Sequence, residues 1–117
     1  MTLTNAQSEA LDAFASSVRT HYGAQLHSIV LFGSRARGDA SLDSDADVAI
    51  LLADGPWNFW DEKANLAGIA YDMLIEWGLH IQPWPIAKSA WDEPKRHQDP
   101  RFIERIKRDA RAFREAA

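Results

Sequence analysis

The sequence predicts an α/β (α+β) domain. Two short apolar runs, bounded by glycine and polar turn residues, stand between segments whose apolar residues recur at helical spacing. The 117 residues, 46% apolar and 26% charged, suit one hydrophobic core, so residues 1–117 are read as a single domain. There is no cysteine, which excludes a disulfide scaffold, a thiolate zinc site and a cysteine nucleophile. No apolar run approaches the ~18 residues of a membrane span, and the opening MTLTNAQSEA lacks the charged-then-apolar plan of a signal peptide. A cytoplasmic protein without membrane contact is expected.

The elements follow in order. Thr4 and Gln7 have the form of a capping box, and Leu11, Phe14, Ala15 and Val18 then mark an amphipathic helix that ends near Gly23. Ser28–Phe32 is apolar and partly β-branched and stops at Gly33, as a buried strand does. Asp47–Leu52 is a second such run, and the two are expected to lie side by side in one sheet. After the Asp54-Gly55-Pro56 break, Trp60, Ala64, Ala67, Tyr71 and Leu74 form a stripe along a long helix that Gly78 terminates. A second apolar row, Phe59, Leu66, Ile69, Met73 and Trp77, leaves that helix either buried on two sides or offering one side to another chain. Leu79–Ile86 reads as a third strand, held to a sheet edge by Pro83 and Pro85. Ser89–Asp92 opens a helical turn before Pro94, and Asp99-Pro100 starts a final helix lined by Phe102, Ile103, Ile106, Ala110 and Phe113.

Charge is unevenly spread. Residues 95–117 hold eight of the 13 basic residues and four of the 17 acids. Arg101, Arg105 and Arg108 share a helix face, but Glu104, Asp109 and Glu115 are interleaved, as on a solvated helix. The net charge of -4 opposes long-range attraction of nucleic acid.

The segment from Gly33 to Asp47 carries the chemistry. In extended chain, residues i and i+2 point to the same side with Cα atoms roughly 7 Å apart, so Asp45 and Asp47 can aim two carboxylates at one point. Hard oxygen ligands on one side, with the remaining positions left to water and phosphate oxygens, suit a Mg²⁺ ion that escorts a nucleotide. Gly33 lets backbone approach a phosphate, Ser34 supplies a hydroxyl, and Arg35 and Arg37 supply positive charge. Two other motifs fail on single residues: a calcium loop beginning at Asp43 needs glycine where Val48 stands, and a P-loop from Gly33 needs lysine where Asp39 stands.

Gly33-Ser34, ten residues, then Asp45-Ala46-Asp47, within LFGSRARGDASLDSDADVAIL, resembles the minimal nucleotidyltransferases of the DNA polymerase β-like superfamily. The resemblance implies a small mixed sheet of three to four strands with helices packed on one face. It also implies Mg²⁺ (or Mn²⁺) held by Asp45 and Asp47, an NTP bound through Gly33, Ser34, Arg35, Arg37 and Ser44, and transfer of NMP, with ATP the expected donor. The family's third carboxylate lies on the strand after the long helix. Here Leu79-His80-Ile81-Gln82 contains no acid, and His80 and Gln82 share the face where it would stand. Members of this size are commonly the antitoxin of a pair with a helical HEPN-type toxin, which implies a hydroxyl acceptor, such as tyrosine, on that partner protein. The apolar row left over on the long helix suits a protein partner or a homodimer. The alternative reading is a nucleotide-binding module that neutralises its partner by binding without turnover.

Overall fold

The computed structural model describes residues 5–37 and 45–112. The Thr4 cap, Ser44 and Phe113 lie outside these residues, as does most of the turn between the glycine-serine pair and the carboxylates. The elements are α1 (Asn5–Tyr22), β1 (Leu26–Phe32), α2 (Gly33–Arg37), β2 (Ala46–Leu52), α3 (Phe59–Trp77), β3 (Ile81–Ala87), α4 (Lys88–Asp92), α5 (Pro100–Asp109) and β4 (Arg111–Ala112). The sheet order is β3-β2-β1-β4. Strand β2 runs antiparallel to β1 and parallel to β3, so the sheet is mixed. β3 stands at an edge, where the missing N–H groups of Pro83 and Pro85 break no inner ladder.

The apolar strands bury both faces. Ile29, Leu31, Val48, Ile50, Leu52 and Ile81 pack on Leu11, Phe14, Ala15 and Val18 of α1 and on Leu66, Ala70 and Met73 of α3. Val30, Phe32, Ala49, Leu51 and Ile86 pack on Ala90 of α4 and on Ile103 and Ile106 of α5. The long helices thus share one face, as expected, and the shorter α4 and α5 cover the other. Helix α3 starts at Asn58, whose side chain accepts from the N–H groups of Trp60 and Asp61, and ends at Gly78 in the left-handed region (φ 71°).

Two expectations are corrected. The stripe that faces the core on α3 is Leu66, Ala70 and Met73, while Trp60, Tyr71 and Leu74 lie outside it, exposed. The final helix ends at Asp109, because Ala110 turns to extended backbone and Arg111–Ala112 pairs antiparallel with Val30 and Leu31 of β1. Unpaired N–H and C=O groups along that edge of β1 are satisfied by the pairing. Among the described residues no helix is long and apolar enough to cross a membrane.

Candidate active site

Strand alternation puts Asp47 in phase with Ala49 and Leu51, on the α5 side of β2, and Asp45 two residues earlier points the same way. Register then assembles the neighbours. Phe32 of β1 pairs with Asp47 on one side, and Gln82 of β3 pairs with it on the other. Gly33, at φ 76°, follows Phe32 directly, and a Cβ placed on it would stand 2.5 Å from Asp47 Oδ2. The carboxylate therefore rests against the bare Cα of the glycine. Ser34 follows at the start of α2, half-buried.

His80 completes the β3 side, with Nδ1 2.9 Å from Asp45 Oδ1. A carboxylate only accepts, so Nδ1 carries a proton in this contact, and in the neutral imidazole Nε2 is then the acceptor nitrogen. Both groups are partly open to solvent. Ala46 N–H donates to the His80 carbonyl, which fixes the backbone of the two strands at this point.

The electrostatics centre on Asp47. Burial raises its pKa above the ordinary carboxylate value, the neighbouring charge of Asp45 raises it further, and Arg37, Arg105 and Lys63 pull it down. Three cations thus reach one carboxylate from α2, α5 and α3. Lys63 crosses the β3 edge to donate to the Pro83 carbonyl, with its ammonium 4.1 Å from the centre of the Trp84 ring. Burial lowers its pKa, and the charge of Asp47 opposes that. Arg37 donates to Asp109 at 2.8 Å, tying the first turn after β1 to the end of α5. Arg105 lies over the ring of Phe102, which contacts Phe32 and Trp84 edge-on.

The residues singled out from sequence fall into groups. Gly33, Asp45, Asp47, His80 and Gln82 come together, and Ser34 adjoins them; Arg37 reaches Asp47 by charge while bonded to Asp109. Ser44 and the side chain of Arg35 lie outside the described residues. Lys63 and Arg105 were missed, although Lys63 is the sole Lys or Arg between residues 38 and 87, a signal that a cation is wanted there. An open cleft of about 600 Å³ is lined by Trp57, Phe59, Trp84, Arg96, His97 and Phe102, and none of Gly33, Asp45, Asp47, His80 and Gln82 lines it.

The donor set suits a divalent cation. Burial first and the neighbouring charge of Asp45 second raise the Asp47 pKa despite three nearby cations, and both carboxylates are hard oxygen ligands. Among the described residues no group of three or more His, Asp or Glu side chains gathers as a metal cluster, so an ion here would complete its sphere with water and phosphate oxygens.

The chain is similar to known proteins. Two Methanocaldococcus jannaschii proteins, both inferred protein adenylyltransferases, are similar to the chain: one is 34% identical over 73 residues and the other 33% identical over 75. The matches cover 62% and 64% of this chain; they span 50% of the first relative's length and 74% of the second's. Among solved structures, an inferred nucleotidyltransferase of Sulfolobus solfataricus superposes with a TM-score of 0.55 at 18% identity, over 79% of this chain and 74% of that one. A toxin-antitoxin structure with AMP-PNP superposes with a TM-score of 0.57 at 17% identity, over 90% and 73%. These two likenesses concern the fold. The model of the nucleotidyltransferase domain family matches residues 11–112, a span that holds both strands of the carboxylate site and the helices that close it, and the chain belongs to that family.

Proposed function

We propose that this chain transfers an adenylyl group from ATP to a hydroxyl on a partner protein. The observation that carries the reading is the pair Asp45 and Asp47 on one side of β2, with Gly33 beneath one carboxylate and His80 bonded to the other. The names of the M. jannaschii relatives and the AMP-PNP and toxin in the neighbouring complex support the donor and the class of acceptor. A helical toxin of the HEPN type is the partner we favour, and the protein acts in the cytoplasm.

Asp45 and Asp47 would hold a Mg²⁺ or Mn²⁺ ion, which when bound polarises the phosphates and offsets their charge. Gly33 and Ser34, with Arg35 and Ser44, hold the triphosphate. Arg37, Arg105 and Lys63 set the field around the carboxylates. In-line displacement requires the acceptor to approach opposite the leaving pyrophosphate. With the triphosphate over the β1 end, the acceptor oxygen enters from the β3 side, where His80 Nε2 faces it and takes the hydroxyl proton. The new O–Pα bond forms as the bond to pyrophosphate breaks. Gln82, neutral at the position of the family's third acid, orients the acceptor by hydrogen bonding without adding negative charge beside Asp47.

Incubation with α-labelled ATP, Mg²⁺ and a co-expressed partner tests the reading. Label on the partner, with pyrophosphate released and both lost in the Asp45→Asn/Asp47→Asn variant, is the expected result. ATP binding and a stable complex without label would overturn transfer and favour neutralisation by binding, a reading that the absence of an acid at His80 and Gln82 supports.

A further inference from the structure

The outward face of α3 is apolar and uncovered. Trp60 is 73% exposed, Tyr71 60%, Ile75 66% and Leu74 37%, and exposed Ala64 and Gly68 lie between them. At 100° per residue these positions fall within about 120° of the helix circumference, and no charged residue interrupts them. Large side chains standing this far into solvent along one stripe mark an interaction surface.

Gly68 sharpens the point. A mid-helix glycine weakens a helix relative to alanine, and a Cβ added here would meet nothing within 4 Å. Nothing inside the chain requires the small residue. A helix crossing from outside does, since its backbone could then approach closely at the centre of α3, between Trp60 and Ile75.

Charge selects the occupant. Asp61, Asp72 and Glu76 border the stripe on one flank, while Lys63 on the other is turned away to Pro83 and Trp84. A second copy packed antiparallel would bring both acidic rows to the same side. We infer that α3 docks an amphipathic helix of a partner protein, whose apolar stripe is edged on one side by Lys or Arg and crosses α3 at Gly68. The inference rests on the partner-protein reading above and names the surface that holds the partner.

The full chain, labelled for NMR, is titrated with a synthetic amphipathic helix of about 20 residues carrying a Leu/Ala stripe and an Arg edge, and with the same helix carrying a Glu edge. Shifts at Trp60, Gly68, Tyr71 and Ile75, and binding at least ~tenfold tighter for the Arg-edged helix, are expected. Gly68→Gln, whose side chain enters open space, should weaken that binding at least ~tenfold and leave Mg-ATP binding unchanged. Equal affinity for the two helices, or shifts confined to other surfaces, would overturn the inference. So would dimerisation of the chain that Gly68→Gln abolishes, which would assign the face to a second copy. Absence of label transfer with helix binding intact would defeat the transfer reading alone.

Discussion

At Gly33 two constraints meet: a φ of 76° that disfavours any side chain, and Asp47 Oδ2 at 2.5 Å from where a Cβ would sit. Gly33→Ala should therefore cost about 2 kcal/mol in urea denaturation and displace Asp47, abolishing Mg-ATP binding by calorimetry. Asp47 itself sets a pH dependence. Its native pKa is raised by burial and by Asp45, so the native state holds this proton more tightly than the unfolded chain. The stability it contributes falls as pH rises from the ordinary value of 3.8 through the native pKa, and Asp47→Asn should stabilise the metal-free protein above that window. In a ¹³C carboxyl titration, Asp45→Asn should lower the Asp47 midpoint and Lys63→Met should raise it; midpoints unmoved by both would refute the assigned causes. That Gly33, Asp45 and Asp47 lie together was legible because the three stand within one short segment at the ends of two neighbouring strands. The contribution of Lys63 and Arg105 was not, since each arrives on a helix whose placement only the fold decides. The partner of Arg37 stands 72 residues away.

Helix α3 carried two apolar rows, and periodicity alone gave no means of choosing which one faces inward. Packing decides it: Leu66, Ala70 and Met73 meet α1 and the sheet. Two glycines on or beside this helix then respond in opposite directions to the same substitution. Gly68→Ala should stabilise the chain by about 0.5–1 kcal/mol, because helix propensity improves and nothing is displaced. Gly78→Ala should destabilise it by about 1 kcal/mol, because the left-handed cap at φ 71° penalises a side chain. Thermal denaturation of the pair separates the effects, and a loss from Gly68→Ala would mean that space beside it is already filled. The end of α5 escaped sequence reading for a different reason. Ala110 continues its apolar row, yet pairing of Arg111–Ala112 with β1 outweighs another helical turn.

Across the whole molecule the order of helices and strands was readable, since each signal is local, whereas cover on the second sheet face was not expected. The clue was present in Val48–Leu52, five apolar residues without polar alternation, which need both sides buried. Ile103 and Ile106 supply that cover from α5 and are fully buried. Ile106→Ala should cost about 2–4 kcal/mol by denaturant unfolding and loosen the side of the sheet on which Asp45 and Asp47 stand. The tie between Arg37 and Asp109 carries a consequence for biosynthesis. The signature segment at residues 33–47 leaves the ribosome early, but Lys63 and Arg105, two of the three cations acting on Asp47, and the Asp109 carboxylate that holds Arg37 come from residues 63–109. A nascent chain therefore displays the family motif long before the residues that pack around it exist, and a product terminated before Pro100 would carry the motif without Arg105 or the Asp109 partner of Arg37.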